Sequence, residues 1–234
     1  MAQFQAQEPK DKRLLDTIRS EIQRGIYQVH DQIPSEKELG ERFDVSRVTV
    51  RRALKELTEE GLLERYQGKG TYVSMPRIQR DLRSVTSFHA SCTMMGLKGS
   101  ARVILRQLIA PTERDLRELQ LSGDAHVIEV RRLCLADDAP VMLEINHFPP
   151  QYAWLLDEDL SGSLYQMLSE RKIEPDKAIH EISLCRAGED DARWLETKKG
   201  EALLCVEETI FDQKGKPLHT SCQHIRADRF TFRI

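Results

Sequence analysis

The segment 34–73 constrains the fold more than any other part of this 234-residue chain. The Ser35 hydroxyl and the Glu38 carboxylate are spaced so that each can accept a hydrogen bond from the other residue's backbone N–H, as in a capping box. Ser46 is a second candidate N-cap, and Gly61 suits the left-handed position that follows a helix. The segment therefore predicts two short helices joined by a tight turn.

The residues around these two helices complete a recognisable arrangement. Apolar residues recur on one face of the second helix, and a glycine-bearing turn at 67–70 separates two strand-like runs. An apolar repeat at 14–22 predicts an earlier helix that ends near Gly25. Three helices followed by a hairpin form a winged helix-turn-helix, which places one helix in the major groove of DNA. The apolar positions are Leu14, Ile18, Ile22, Val50, Ala53, Leu54 and Leu57.

The runs IPSEKELGERFDVSRVTVRRALKELTEEGLL (33–63) and QGKGTYV (67–73) resemble the GntR family of bacterial transcription regulators. The resemblance covers roughly residues 10–75. Arginine can bind guanine O6 and N7, while lysine and hydroxyl groups can hold phosphates. A basic helix face often only keeps a helix soluble, but two caps and a wing in the right order favour DNA recognition. The DNA-contacting positions are expected to be Lys37, Ser46, Arg47, Thr49, Arg51, Arg52, Gln67, Gly68 and Lys69.

Composition limits the other classes of function. The net charge is −3, and the segment 10–74 is itself close to neutral, so DNA affinity has to come from the placement of charges. The five cysteines form no C-x-x-C pair, which argues against a disulfide framework and a structural zinc site and favours a reducing cytoplasm. The histidines show no metal-ligand spacing, and neither a metal nor a cofactor is expected. Residues 1–9 are polar, lack the apolar core of a signal peptide and are expected to be disordered.

The remainder of the chain predicts a second domain of the α+β class. We expect a winged helix-turn-helix domain at 10–74, a linker at 75–84 and the second domain at 85–234. Short connections at Asp137-Asp138 and Lys214-Gly215 favour antiparallel pairing of the strands, with helices against one sheet. The predicted strands are 101–110, 126–135, 141–148, 178–187, 202–212 and 218–226, and the predicted helices are 112–119, 163–171 and 189–197.

This half resembles the UTRA ligand-sensing domain of the HutC subfamily, through TSF (86–88), LADDAPVMLE (135–144), DLSGSLYQML (159–168) and DQKGKPLHTSCQHIRADRFTF (212–232). The resemblance implies a chorismate-lyase-like fold that binds a small, mostly anionic metabolite and thereby changes DNA affinity. Members that bind phosphosugars carry a second arginine at the position of Cys134, glutamate near His219 and tyrosine near Ile225. These departures imply a smaller or less charged effector. The expected effector-binding residues are Ser87, Phe88, Arg132, Glu144, Ser163, Tyr165 and His219.

Strand alternation sharpens the expectation for Arg132. If the hairpin folds about Asp138, Arg132 lies opposite Glu144 on an otherwise apolar face, and Cys134 lies opposite Met142. A guanidinium on such a face needs a partner, and Glu144 is either its structural partner or the group that orients it toward a ligand anion. Cys134 is open to two interpretations as well, a redox sensor or an inert core thiol.

The leading hypothesis is a ligand-responsive transcriptional regulator, acting as a repressor and as a cytoplasmic homodimer joined through 80–234 on a near-palindromic operator. Its expected partners are operator DNA, a small-molecule effector and a second copy of the chain, with no membrane. An enzyme is the first alternative, because the second domain shares the fold of a lyase, although no nucleophile–base pair is recognisable. An architectural DNA binder is the second alternative, and the long second domain speaks against it.

Overall fold

The computed structural model describes residues 10–75 and 77–234, so the tail expected at 1–9 lies outside the described residues. The described residues form two compact units, which divide between Arg77 and Ile78. The expected linker at 75–84 therefore contains the division between the units, but part of it, Ile78–Asp81, forms a β-strand of the second unit. This strand has no local sequence signal, because its pairing partner lies at the far end of the chain.

The first unit has the predicted order of three helices and a hairpin. Its apolar core is formed by one face of each helix together with Leu63 and Val73 of the hairpin. A bridge between Gln32 and Tyr72 ties the segment before α2 to the hairpin. The elements are α1 (Lys10–Gln23), α2 (Glu36–Phe43), α3 (Arg47–Glu59), β1 (Leu63–Tyr66) and β2 (Gly70–Val73).

The helix ends of this unit follow the predicted local chemistry. The capping box is present, with Glu38 N donating to Ser35 Oγ at 3.3 Å and Ser35 N donating to Glu38 Oε2 at 2.8 Å. Ser46 caps α3 by accepting from Thr49 N at 3.2 Å. Gly61 has a φ of +78°, the left-handed conformation expected there. Local sequence therefore determines where α2 and α3 begin and where α3 ends.

The second unit is built on six antiparallel strands in the order β4-β5-β6-β9-β8-β7. All six predicted strands and all three predicted helices are present, and α4, a 3₁₀-helix, β3 and β10 are additions. Strand β3 pairs in parallel with β10. The elements are β3 (Ile78–Asp81), α4 (Phe88–Met94), β4 (Gly99–Ile109), α5 (Glu113–Glu118), β5 (Val127–Ala136), β6 (Ala139–Phe148), a 3₁₀-helix (Pro150–Leu156), α6 (Leu164–Glu170), β7 (Pro175–Arg186), α7 (Glu189–Trp194), β8 (Ala202–Asp212), β9 (Pro217–Arg226) and β10 (Phe230–Arg233).

The two faces of this sheet carry different chemistry. We name the first the Arg132 face; its apolar part packs against the 3₁₀-helix and α6 through residues such as Leu155 and Leu164. We name the second the Leu133 face, because alternation along β5 places Leu133 on the opposite side, where it packs with Leu195 and Leu203.

A buried polar cluster on the Leu133 face joins α5 to the sheet. His147 Nδ1 lies 2.8 Å from Asp115 Oδ2, and His147 Nε2 lies 3.3 Å from Glu129 Oε2. Burial alone would lower the pKa of His147, but hydrogen bonds and charge from these two carboxylates raise it above its usual value. The ring is therefore stabilised in its charged form.

Candidate nucleic-acid interface and effector cavity

The residues expected to contact DNA form an exposed surface on the first unit. All nine are exposed except Thr49, which is half-buried. Lys37, Arg47 and Gly68 line one concave region between α2, the start of α3 and the hairpin. Predicted positions from α2, from α3 (the recognition helix) and from the β1–β2 hairpin (the wing) thus lie close together.

Glu36 orients two arginines of this surface. Arg51 Nε donates to Glu36 Oε2 at 2.7 Å, and Arg65 Nη2 donates to Glu36 Oε1 at 3.1 Å. Both arginine side chains are more than half exposed, so their remaining donors face solvent. Sequence reasoning missed Glu36 and Arg65, although Glu36 could have been found as an acid in the first turn of a helix beside a basic recognition helix.

The backbone of the wing turn favours glycine at Gly70, whose φ of +129° is one that other residues rarely adopt. A Cβ built there would also displace the end of the Gln32 side chain. That same Gln32 amide donates to Lys69 O at 3.1 Å. The close approach of Gln32 therefore fixes the backbone that presents Lys69 at the tip of the hairpin.

Three residues at the start of α3 or on its first turns differ from the expectation based on the sequence. Ser46 is occupied as the N-cap of α3, with its Oγ also 2.9 Å from Thr49 Oγ1. Arg52 lies along a different groove, beside Asp16 and Arg19 of α1. Val48, which the sequence analysis did not name, is 77% exposed on the first turn of α3. An exposed aliphatic group there can contact a thymine methyl.

The residues expected to bind an effector surround a small cavity on the Arg132 face. Its volume is about 30 Å³, enough for a few water molecules at most. Six of the seven expected residues line it, and Ser163 instead caps α6 by accepting from Gln166 N. The lining residues that were not expected to bind the effector are Arg80, Thr86, His89, Met142, Asn146, Leu164 and Gln223.

Arg132 is bound by protein groups on almost every side. The predicted register is confirmed, with Arg132 opposite Glu144. Arg132 Nε donates to Glu144 Oε1 at 3.0 Å and Nη2 donates to the same oxygen at 2.5 Å. Arg132 Nη1 donates to Leu160 O and Gly162 O at 3.2 and 3.1 Å. The guanidinium therefore fixes the loop before α6 as well as pairing with Glu144.

Burial and charge have opposite effects on the pKa of Glu144 in this pair. Burial alone would raise the pKa of Glu144, but the Arg132 charge and hydrogen bonds from Arg132 and Asn146 keep it below its usual value. Cys134 Sγ lies 3.7 Å from Glu144 Oε2. Burial and the Glu144 charge raise the Cys134 pKa well above its usual value, so the group is a thiol and not a reactive thiolate.

A second arginine reaches the cavity from β3. Arg80 Nη1 donates to Gln223 Oε1 at 2.6 Å, and Nη2 donates to Glu208 Oε1 at 2.7 Å. Burial alone would raise the pKa of Glu208, but the charge of Arg80 and the hydrogen bond from His180 lower it to about 2. Each cavity arginine is thus matched by a carboxylate, and the site is close to neutral.

His219 offers an unmatched hydrogen-bonding atom at this cavity. Burial lowers its pKa to about 4, so the ring is neutral near pH 7. Its Nδ1 lies 3.2 Å from Thr220 O, which can only accept, so Nδ1 carries the proton and Nε2 is an acceptor. Nε2 is buried and has no partner among the described residues. The ring is held by Phe148, 4.7 Å away between centroids.

Comparisons with known proteins match both units. A family model described as "Bacterial regulatory proteins, gntR family" matches residues 10–73, and one described as "UTRA domain" matches residues 94–231. The HTH-type transcriptional repressor NagR of Bacillus subtilis is 32% identical over 94% of this chain and 91% of its own length. The Escherichia coli repressor MngR, of the mannosyl-D-glycerate transport/metabolism system, is 30% identical over 97% of this chain and 95% of its own.

The fold has solved counterparts. The crystal structure of PhnF from Mycobacterium smegmatis aligns with a TM-score of 0.75 at 26% identity, covering 95% of both chains. Within residues 10–75 and 77–234, no helix has the length and apolar character needed to cross a membrane.

Proposed function

Because the chain belongs to the GntR family of bacterial regulatory proteins and carries the UTRA ligand-sensing domain of the HutC subfamily, we propose that it is a repressor whose operator binding is controlled by a small polar effector in the cavity of the Arg132 face. Its relatives are transcriptional regulators and not enzymes, which removes the lyase alternative. The long second unit, matched to a ligand-sensing domain, disfavours a purely architectural DNA binder. Action on DNA places the protein in the cytoplasm, which cell fractionation tests.

We assign base reading to Arg47 and Arg51 and backbone positioning to Lys69. Arg51 supports the assignment because Glu36 fixes its direction without burying it. Replacing either arginine by alanine should cost about 1–3 kcal/mol and relax specificity at one position per half-site, as for loss of a bidentate base contact. Lys69→Ala should instead weaken binding to all sequences evenly and flatten the dependence on salt.

The matched control for these variants is Lys55→Ala. Lys55 is an exposed cation toward the end of α3, 3.5 Å from Glu59, and lies outside the proposed surface. Fluorescence anisotropy on a selected operator and on scrambled DNA, at two salt concentrations, measures affinity and specificity together. Arginine variants that match Lys55→Ala in affinity and sequence preference would refute the assignment.

The buried acceptor His219 Nε2 supports effector binding more strongly than any other observation. A buried acceptor without a partner costs free energy that a ligand hydroxyl or N–H group recovers on binding. Because Arg80 and Arg132 already face carboxylates, the cavity favours a polar molecule of low net charge, and the anionic effector implied by the family resemblance stays a prediction. The cavity has to open for any molecule larger than a few waters.

This proposal is tested with a metabolite library screened by thermal shift, followed by calorimetry on the hits. His219→Phe keeps an aromatic ring against Phe148 but removes the acceptor, so it should weaken effector binding at least tenfold. His126→Phe, on an exposed residue outside the cavity, is the matched control and should bind normally. Wild-type affinity in His219→Phe would contradict the assignment.

We further propose that the second unit forms the homodimer, through the edge strand β7. Ile179, Ile182 and Leu184 are exposed on this outermost strand, and Leu184 is 74% exposed. A twelve-residue edge strand presents unpaired backbone groups to another chain, and the three exposed aliphatic side chains of β7 add apolar surface beside them. Two copies raise DNA affinity through effective concentration, and two-fold symmetry predicts inverted half-sites about one helical turn apart.

Light scattering after gel filtration tests this interface. Leu184→Lys should give a monomer at micromolar concentration, whereas Leu108→Lys should not, although Leu108 is 53% exposed on the opposite edge strand β4. Footprinting should then show one protected half-site for the monomeric variant. A wild-type monomer that protects a single half-site would refute the dimer.

A further inference from the structure

Three potential metal ligands meet on the Leu133 face, away from the effector cavity. A sulfur from Cys185, a sulfur from Cys205 and one ring nitrogen of His224 all lie within 4.8 Å of one another. The three residues are half-buried and come from three adjacent strands, β7, β8 and β9. Their separation in the sequence, with no short C-x-x-C or H-x-x-H spacing, explains why no metal site was expected.

Strand register accounts for the cluster. Cys205 lies directly opposite His224 in the β8–β9 pair. Cys185 lies opposite Leu203, two residues before Cys205, so alternation places both cysteines on the same face. The convergence therefore follows from the pairing of the strands and does not depend on a flexible loop.

The histidine is held as metal-binding histidines usually are. His224 Nδ1 lies 2.7 Å from Asp191 Oδ1 on α7, so Nδ1 carries the proton and Nε2 is left as the ligand atom. A carboxylate on the distal nitrogen fixes the ring orientation and raises its basicity. His224 and Asp191 also line a cavity of about 420 Å³ on this face, so the histidine side of the cluster borders open space.

We propose that Cys185, Cys205 and His224 bind a thiophilic divalent cation of the zinc class, with Asp191 positioning His224. Two thiolates and an imidazole are ligands that zinc prefers, and a tetrahedral site with bonds of about 2.0–2.3 Å places its ligand atoms roughly 3.5–3.8 Å apart. The present spacing within 4.8 Å requires only side-chain adjustment. Each cysteine releases its thiol proton to solvent on binding, and the fourth position is taken by water or a fourth side chain.

The experiment uses the full chain, reduced and stripped of metal with a chelator, and titrates it with Co²⁺ and then with Zn²⁺. Co²⁺ should bind at one equivalent per chain and give thiolate charge-transfer bands and the visible bands of tetrahedral cobalt, which Zn²⁺ then removes. Cys185→Ser, Cys205→Ser and His224→Gln should each lower Zn²⁺ affinity at least a hundredfold. Asp191→Asn should lower it about 10- to 100-fold, as for loss of a partner that orients a ligand.

Cys92→Ala is the matched control, because Cys92 is buried on α4, outside the cluster. It should keep wild-type cobalt spectra. Circular dichroism and tryptophan fluorescence check that each variant is folded before titration. The absence of charge-transfer bands in the wild type, or bands that persist in both Cys185→Ser and His224→Gln, would overturn the proposal. A Cys185–Cys205 disulfide in a protein that binds no metal after reduction would overturn it too.

Discussion

Replacing Glu144 by glutamine should destabilise the second unit far more than an ordinary loss of charge. The substitution keeps the side-chain shape but leaves the buried Arg132 guanidinium without its counter-charge. Breaking a buried ion pair on one side costs about 3–5 kcal/mol, a large part of the ~5–15 kcal/mol by which a domain is stable. With a urea m-value of about 2 kcal/mol/M, the unfolding midpoint should fall by roughly 2 M.

Tryptophan fluorescence isolates the relevant transition, because both tryptophans, Trp154 and Trp194, belong to the second unit. The control Glu189→Gln removes an exposed pair with Lys199 and should cost less than about 1 kcal/mol. The double variant Arg132→Met, Glu144→Leu should recover part of the loss, since it leaves no buried charge unpaired. The recovery is incomplete because Leu160 O, Gly162 O and Asn146 Nδ2 lose their hydrogen-bond partners. A Glu144→Gln midpoint that equals the control would refute this reasoning.

Two further predictions concern the wing and the polar cluster on the Leu133 face. Gly70→Ala should lower operator affinity several-fold in anisotropy titrations, because a Cβ at φ +129° meets the Gln32 amide, whereas Gly123→Ala, which meets nothing within 4 Å, should not. His147→Gln should destabilise the second unit more at about pH 6 than at about pH 9, measured by urea unfolding. The raised pKa of His147 means that its stabilisation is complete below its unfolded-state pKa and is lost as the pH rises through the folded-state value. An equal destabilisation at both pH values would contradict the role of its charge.

Local rules were enough to predict the first unit and the central hairpin of the second. Helix caps and turn glycines act within a few residues, so they can be recognised in the sequence; they are the caps at Ser35 and Ser46 and the glycines after α3 and in the wing. The assumed hairpin centre at Asp138 placed Arg132 opposite Glu144 correctly. In the structure the two-residue turn at Asp137-Asp138, with both residues at positive φ, pairs Ala136 with Ala139, and a register shift between Cys134 and Leu135 then brings Arg132 opposite Glu144.

Contacts between distant segments could not be predicted in the same way. Arg80 reaches the cavity only because β3 pairs in parallel with β10, and no sequence pattern near Arg80 predicts that pairing. Ser163 caps α6 and does not line the cavity, because a serine at the start of a helix hydrogen-bonds readily to the backbone of that helix; its contact with an effector stays a prediction. The cluster of Cys185, Cys205 and His224 depends on two strand registers at once.

The most direct test of the account measures operator binding with and without the effector found by the thermal-shift screen, in the wild type and in His219→Phe. Both proteins should bind the operator with equal affinity when no effector is present, because His219 belongs to the second unit and the proposed DNA surface to the first. Effector should release the wild type and leave His219→Phe bound, since a ligand shifts an equilibrium only by its difference in affinity for the two states. An effector that releases both proteins equally, or that binds the wild type without changing its operator affinity, would contradict the account.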